Sequence, residues 1–198
     1  MKANRFFSNL KNKNGLWKVK EVGSLLGKNE KVLDYGCGDL IFASMLYADN
    51  KSLQITGVDV VQSRKLKNIK FVKYNGDKIP FKDNTFDTVV SVYVFHHTKN
   101  VEDAFADCVR VARRRVVFIE AIAKSDFEIV PMKFMDWLFN VWKPEPIPLT
   151  FQFRTHSAWM KIFKKNNVKL KKEKEIKNYL SSLPVGKAYL FEVEKIKK

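Results

Sequence analysis

The chain has 198 residues, 45% of them hydrophobic and 13% aromatic, so it is long enough to bury a core and too apolar to be intrinsically disordered. It has no apolar run of bilayer-spanning length, no signal-peptide core near Met1 and only two cysteines, so we expect one cytoplasmic domain over residues 1–198. The formal net charge of +16 would suit RNA or an acidic membrane, but the positive residues are spread along the chain without an arginine-rich block, which favours a lysine-biased composition.

Residues 1–30 are polar and basic with an intermittent apolar face. This pattern predicts one or two helices that end near Gly27 and lead into the first strand.

A short buried strand follows at residues 31–35 and breaks at Gly36 into a tight turn that opens a helix. Glycines at such a turn let a ligand lie on the backbone, with free N–H groups pointing at it. The turn departs from the dinucleotide fingerprint because Ile41 stands where a third glycine should follow Gly36 and Gly38. Asp34 would also repel a pyrophosphate. A ligand with a nucleoside at one end and positive charge at the other suits this turn better.

The second strand, residues 53–59, ends on Asp59. A carboxylate at the tip of this strand is placed to accept both ribose hydroxyls of a nucleoside, and Val60 could pack on the adenine ring. Asp59 could instead cap a helix over residues 61–67.

Two passages carry a family resemblance. The acidic residue followed by Gly-x-Gly, Asp34 to Gly38, resembles the first motif of class I S-adenosylmethionine (SAM) dependent methyltransferases, although the place of a frequent third glycine holds Leu40. Residues 79–87, Ile-Pro-Phe-Lys-Asp-Asn-Thr-Phe-Asp, resemble the "LPF-x-D-x-S-F-D" passage of the methyltransferase type 11 group, which includes ubiquinone-biosynthesis-like enzymes. The resemblance runs from about Lys31 to Glu120.

The resemblance implies SAM as the cofactor and S-adenosylhomocysteine as the product. Asp34, Gly36 and Gly38 would hold the methionine end, and Asp59 the ribose. A polar residue after the third strand, residues 69–74, would read adenine. The candidates for the adenine and methyl ends are Val60, Asn75, Gly76, Asp77 and Val92, and the pattern does not choose between Asn75 and Asp77. Residues 1–30 would form a helical lid or merely cover the sheet.

The segment after the fourth strand, residues 88–93, usually carries the chemistry in this family. Here it lacks the Asn/Asp-Pro-Pro-aromatic and Pro-Cys motifs, which argues against methylation of nucleic-acid bases. His96 and His97 match a "L-H-H" found in small-molecule members. His97 is a tentative general base, although either histidine could instead cap the next helix or close the pocket floor. An adjacent pair cannot form an i, i+4 metal face, so we expect no metal.

Residues 100–112 form an amphipathic helix in this interpretation, and residues 116–120 form the fifth strand. Arg113, Arg114 and Arg115 stand between them. We interpret these arginines as partners of the helix dipole on the solvated surface rather than as a phosphate-binding patch.

Residues 121–155 form a substrate-cap insertion in this interpretation. Residues 127–142 are strongly apolar, and a stiff connection follows at 144–148. The aromatic side chains suit an apolar substrate, a homodimer contact or shallow membrane insertion through 127–153, or else a helix buried all round. The next helix begins at Thr155 or Ser157, and His156 could line the pocket or lie at the surface.

The last two runs, residues 168–177 and 187–196, read as an antiparallel hairpin. The resemblance then implies a three-layer, Rossmann-like α/β sandwich with a seven-stranded, mostly parallel sheet. We expect SAM-dependent methyl transfer to a small-molecule or lipid-like acceptor. RNA or protein methylation on the basic surface, or a non-catalytic SAM-binding subunit, remain alternatives, and nucleic acid is not the favoured partner.

Overall fold

The structure is a computed structural model that describes residues 16–61, 64–141, 149–176 and 186–196. Eight strands of the described residues form one sheet. They are β1 (Lys31–Tyr35), β2 (Gln54–Asp59), β3 (Lys70–Lys73), β4 (Phe86–Val92), β5 (Ala112–Ala123), β6 (Arg154–Thr155), β7 (Val168–Ile176) and β8 (Lys187–Lys195). The helices are α1 (residues 16–23), α2 (Ile41–Asp49), α3 (Val101–Val111), α4 (Asp126–Asn140) and α5 (His156–Lys165), with a 3-10 turn at Phe95–His97.

The main path of the sheet has the order β3-β2-β1-β4-β5-β8-β7, and the short β6 pairs with the end of β5. The pairs β2–β3, β1–β2, β1–β4 and β4–β5 are parallel, whereas β8 runs antiparallel to β5 and β7. The predicted mostly parallel sheet with a C-terminal hairpin is confirmed, and β6 is an addition to it. Because the strand order reverses between β1 and β4, a crevice for a ligand opens at their carboxyl ends.

Helices cover both faces of the sheet, which makes the three layers. On one face, Val22 of α1 and Leu46 of α2 pack with Val32 of β1 in a buried cluster. On the other face, Phe105 of α3 and Trp159 of α5 belong to a second cluster. Strands covered on both faces read as near-continuous apolar runs, as β1 and the centre of β5 do.

The second cluster is built largely from aromatic rings. The rings of Phe118 and Trp159 are 4.8 Å apart between centroids, and those of Phe95 and Phe118 are 5.3 Å apart. Phe95 begins the 3-10 turn and is 1% exposed. This packing anchors the turn after β4, which carries both histidines of the predicted active site.

Leu40 starts α2 in a left-handed backbone conformation, with φ of 63°, and makes no side-chain cap. Glycine is favoured at such a position because an L side chain there is strained by about 1 kcal/mol or more. The side chain of Leu40 is nonetheless fully buried, in the cluster that also holds Cys37. Leu40, at the place of the missing third glycine, therefore has a strained backbone, and the burial of its side chain offsets that strain.

The interpretation of the three arginines as partners of a helix end was wrong, but Arg113 and Arg114 do lie at the surface, with side chains 55% and 50% exposed. Arg113, Arg114 and Arg115 are part of β5, which is twelve residues long. The Arg114 and Arg115 guanidinium groups lie 2.6 and 2.9 Å from a carboxylate oxygen of Glu30. Arg113 pairs with Asp87 at 3.1 Å. Asp87 lies on the neighbouring β4, whereas Glu30 lies just before β1, two strands away from β5, so these ion pairs join the polar start of β5 to both.

Glu30, the acceptor of two of those arginines, is 6% exposed. Burial alone would raise the pKa of this carboxyl. Hydrogen bonds from the Thr88 hydroxyl and the Gly27 N–H, together with the Arg115 charge, outweigh burial and hold the pKa of Glu30 below its usual value. The ion pair thus ties the start of β1 to β5 through charge.

The other boundaries differ from the predicted ones by a few residues. The predicted helix over 61–67 is not seen at 64–67, where the chain forms a turn closed by a bridge between Leu66 and Ile69. Residues 1–15, the predicted connection at 144–148 and residues 177–185 between the last two predicted strands lie outside the described residues.

Candidate active site

Asp34 lies at the floor of the crevice, one residue before the end of β1. Its side chain is buried, with 3% of the residue exposed, and Oδ2 finds no hydrogen-bond partner among the residues that the structure describes. Burial, and secondarily the negative charge of Asp59, raise the pKa of Asp34 to about 7. A buried carboxylate in this condition is stabilised by a cationic partner, such as an ammonium group.

The two glycines of the turn serve different purposes. Gly36 has φ of 71°, and a Cβ there would lie 2.4 Å from the methyl carbons of Val94, so only glycine fits. Gly38 has φ of 50°, and a Cβ there would meet nothing within 4 Å among the residues that the structure describes. A ligand could therefore lie against the Gly38 backbone without displacing any of these residues. Between the glycines, Cys37 is buried, and burial raises the pKa of its thiol, so it is no nucleophile at neutral pH.

Asp59 at the end of β2 reaches back to this turn. Its Oδ2 accepts a hydrogen bond from the Gly38 N–H at 2.7 Å, and its Oδ1 accepts one from the Val61 N–H at 3.0 Å. The carboxylate thus lies beside the open side of the glycine turn and retains lone pairs for further donors. With no helix at 64–67, the alternative role of Asp59 as the cap of that helix loses its basis.

The residues after β3 form the far end of the same edge. Gly76 has φ of 86°, and a Cβ there would lie 3.2 Å from Cγ1 of Val60, so these two residues line one surface. The Asn75 side-chain amide donates to Asp77 Oδ2 at 2.8 Å, and the Asp77 N–H donates to Asn75 Oδ1 at 3.1 Å. Lys99 pairs with the other Asp77 oxygen at 3.0 Å. Asn75 and Asp77 therefore hold each other in place at this end of the edge.

The end of β4 closes the crevice on the other side. Val92 is partly buried against the cluster under α1 and α2. Tyr93 follows with φ of 57°, a strained value of the kind that concentrates at functional sites. The Lys18 ammonium of α1 lies over the Tyr93 ring, 4.8 Å from its centroid. The N-terminal helix therefore reaches the carboxyl end of β4.

Two histidines and two carboxylates cluster just beyond. His96 is 5% exposed, its Nδ1 is 2.5 Å from Glu120 Oε1, and its ring stacks on Phe153 at 4.7 Å between centroids. Asp136 of α4 lies near both histidines: Oδ1 is 3.9 Å from His96 Nε2, and Oδ2 is 3.8 Å from His97 Nδ1. This cluster adjoins the glycine turn because Val94, two residues before His96, packs on Gly36.

Sequence reasoning missed Glu120 and Asp136 as members of this site. Their signals were present: Glu120 is an acid at the end of a buried apolar run, and Asp136 is an acid within a strongly apolar helix. The third histidine, His156, pairs with Glu173 at 2.8 Å in an exposed position, so of the two predicted placements the surface one is correct.

Helix α4 is apolar on two sides. Met132 faces inward and packs with Phe153 in a small cluster of its own. The outward side carries large apolar side chains spaced three or four residues apart, and they are 90% (Phe127), 72% (Val130), 58% (Phe134) and 44% (Trp137) exposed. The alternative of a helix buried all round is therefore wrong. Among the described residues, none of the helices combines the length and the hydrophobicity of a bilayer-spanning segment.

Known proteins resemble the chain in both sequence and fold. A family model described as a methyltransferase domain matches residues 33–119. The chain is 28% identical over 152 residues to a ubiquinone/menaquinone biosynthesis C-methyltransferase (UbiE) of Agrobacterium fabrum, covering 67% of this chain and 56% of that protein. It is 26% identical over 137 residues to a demethylmenaquinone methyltransferase of Thermotoga maritima, covering 65% and 59%. The chain thus spans a little over half the length of these relatives.

Among solved structures, a candidate methyltransferase from Bacillus halodurans matches with a TM-score of 0.72. The match covers 92% of this chain and 99% of that one at 15% sequence identity. At that identity the likeness establishes a common fold.

Proposed function

The chain belongs to the class I SAM-dependent methyltransferases, and from that membership we propose that it transfers a methyl group from SAM to a small-molecule or lipid-like acceptor. The observation that carries the proposal is the buried Asp34 carboxyl, whose Oδ2 has no partner among the described residues and lies beside an open glycine turn. SAM has an ammonium group that can pair with this carboxylate and ribose hydroxyls that can donate to a second carboxylate, that of Asp59.

We propose that the cofactor lies along the carboxyl ends of β1, β2 and β3. Asp34 would hold the ammonium group, the backbone at Gly36 and Gly38 the rest of the methionine part, and Asp59 the ribose hydroxyls. Val60 and Gly76 would bound the adenine, with Asn75 or Asp77 as its polar partner, and Val92 would flank the methyl group. The residues present fit this ligand. One acidic side chain, the glycine backbone and a second acidic side chain lie in the same order as the ammonium group, the rest of the methionine part and the ribose of SAM.

SAM supplies an already reactive methyl group on a sulfonium, which an acceptor atom takes in an in-line displacement. The protein's contribution is then to align the acceptor, exclude water and remove a proton where the acceptor requires it. We propose His97 as the residue that accepts this proton, and α1 as part of a lid that excludes water. The contact between Lys18 and Tyr93 supports the lid.

For the acceptor we propose a quinol-like aromatic ring, following the names of the two curated relatives. The inward side of α4 supports an apolar acceptor because Met132, Ile129 and Phe153 form an apolar wall beside the histidines. Methylation of a ring carbon replaces a proton, which His97 would take up.

A lipid-like acceptor also gives a role to the outward side of α4. We propose that its exposed stripe, defined by Phe127, Val130, Phe134 and Trp137, inserts shallowly into an acidic membrane surface. The net charge of +16 favours such a surface over a neutral one. Peripheral contact of this kind is compatible with the predicted cytoplasmic location, which stays a prediction.

The test uses methyl-labelled SAM, the purified chain and a cell extract separated into lipid, small-molecule, protein and RNA fractions. The proposal predicts label in the lipid or small-molecule fraction, and its loss in an Asp59→Ala variant. Label in RNA or protein would overturn the proposed acceptor class and make the basic surface functional. Binding of SAM without label in any fraction would instead indicate a non-catalytic SAM-binding subunit.

A further inference from the structure

The cluster of His96, His97 and Asp136 brings metal-ligating atoms close together, which methyl transfer does not require. We propose that these three side chains form a binding site for one divalent transition-metal ion of the Zn²⁺ type. They lie in different elements, the 3-10 turn after β4 and the middle of α4, and their ligand atoms all come within 4.8 Å of one another. The expectation of no metal, drawn from the sequence, did not place Asp136 beside the two histidines.

The distances suit a single ion after small side-chain movements. Zn²⁺ binds imidazole nitrogen and carboxylate oxygen at about 2.0–2.2 Å, which places ligand atoms about 3.3 Å apart around a tetrahedral ion. The two Asp136 oxygens are 3.9 and 3.8 Å from the nearest histidine nitrogens. Two imidazoles with one carboxylate is a donor set that Zn²⁺ and its neighbours in the first transition row prefer, and it leaves coordination positions open.

The surroundings orient these ligands as an outer shell does in metal sites. Glu120 Oε1 lies 2.5 Å from His96 Nδ1, which places the proton of a neutral imidazole on Nδ1 and leaves the Nε2 lone pair towards Asp136. The Asn140 side-chain amide donates to Asp136 Oδ1 at 2.7 Å. A carboxylate behind a ligating histidine fixes both its ring orientation and its tautomer.

Burial separates this cluster from the acidic groups that are common on protein surfaces. The side chains of His96, His97 and Asp136 are 6%, 14% and 12% exposed. Glu120 brings a second carboxylate, 2% exposed, into the same volume. A divalent cation offsets two buried carboxylates without requiring that the imidazoles be protonated.

Metal binding has a consequence for the reaction, and this consequence alone rests on the proposed function. An ion bound to His97 occupies the residue that we propose as proton acceptor. Zn²⁺ should therefore inhibit methyl transfer while SAM binding is retained, because Asp34 and Asp59 are not ligands of the ion.

The first experiment titrates the chelator-treated full chain with Co²⁺, whose visible absorption reports coordination, and then displaces it with Zn²⁺. We expect one equivalent of Co²⁺ with a spectrum of nitrogen and oxygen ligands and no thiolate charge-transfer band, since both cysteines are buried elsewhere. Asp136→Asn and His97→Gln should each weaken binding at least about tenfold. His156→Gln is the matched control, because it removes the remaining histidine of the chain and should leave affinity unchanged.

No binding by the wild type, or equal binding by all four proteins, would overturn the site. The two ligand variants lie in separate elements, so a local disturbance of α4 by one of them leaves the other as a test. Glu120→Gln probes the outer shell and should weaken binding about ten- to hundredfold while keeping the stoichiometry. SAM affinity measured on the same samples keeps the two proposals apart, since a chain that binds metal but not SAM would contradict only the proposed function.

Discussion

The Asp59 carboxylate accepts a hydrogen bond from the Gly38 backbone N–H at 2.7 Å, which joins the end of β2 to the glycine turn after β1. A second bond, from the Val61 N–H at 3.0 Å, holds the other carboxylate oxygen. Both oxygens are therefore oriented before a ligand arrives. Because a carboxylate has about four acceptor positions, Asp59 can receive two hydroxyl donors without giving up these bonds.

Asp59→Ala should lower the affinity for SAM by at least about 100-fold, since it removes two hydrogen bonds to a charged group that contribute about 1.5–3 kcal/mol each. Isothermal titration of the purified chain with SAM measures this directly. Asp49→Ala, which removes an exposed carboxylate at the end of α2, is the matched control and should bind as the wild type does. Equal affinities for the two variants would remove Asp59 from the ribose site.

Asp34→Asn should change how stability depends on pH in the absence of SAM. The raised pKa lets the folded chain keep the Asp34 proton up to about pH 7, whereas the unfolded chain loses it near the ordinary aspartate pKa of 3.8. The free energy of unfolding then falls as pH rises between these values, by roughly 4 kcal/mol at most. The variant lacks this loss, so it should match the wild type near pH 4 and be the more stable protein at pH 8.

Denaturant unfolding of both proteins from pH 4 to pH 8 tests this, because the other titrating groups cancel in the difference. If the free energies of unfolding of the wild type and the variant change with pH in parallel, burial does not raise the pKa of Asp34. The same variant should bind SAM more weakly at pH 8, since it cannot pair with an ammonium group. A gain of stability combined with a loss of affinity is the result expected of a binding residue rather than a structural one.

Sequence reasoning was most successful where function depends on strand ends. Asp34, Gly36 and Asp59 follow or end apolar runs, and in a parallel sheet the carboxyl ends of neighbouring strands meet at one edge. Local pattern alone therefore places these residues together. The predicted start of β1 at Lys31 and of β7 at Val168 is confirmed, and the helix predicted over residues 100–112 is found at Val101–Val111. Each of these depends on a local signal.

What could not be predicted depends on contacts between distant parts of the chain. The arginines near the start of β5 looked like a helix end, but their partners are distant in sequence. Arg114 and Arg115 pair with Glu30, more than 80 residues earlier, and Arg113 pairs with Asp87. Glu120 is 24 residues from His96, and Asp136 comes from another element altogether. No spacing rule connects such residues. The pairing of β4 with β5 brings Glu120 to His96, and the packing of α4 against β5 brings Asp136 to the histidines.

Leu40→Gly tests the strained start of α2. Glycine should relieve about 1 kcal/mol of left-handed backbone strain but lose a buried side chain whose truncation costs about 2–5 kcal/mol. The variant should therefore be less stable than the wild type by about 1–4 kcal/mol in chemical unfolding. Leu40→Ala is the informative comparison because it loses nearly the same side chain and keeps the strain. It should be less stable than the glycine variant by about 1 kcal/mol, and the reverse order would contradict the strain at this position.

The exposed stripe of α4 predicts binding to vesicles that contain acidic lipid. Replacing Phe127 and Phe134 together by serine should weaken cosedimentation at least about tenfold, because each ring contributes on the order of 1–2 kcal/mol when it leaves water. Leu16→Ser on α1, which removes another exposed apolar side chain, is the control and should bind normally. Added salt should weaken binding of every protein, since the positive charge acts through a screened interaction. If the stripe instead joins two copies of the chain, the wild type will sediment as a dimer, the double variant as a monomer, and neither will bind vesicles.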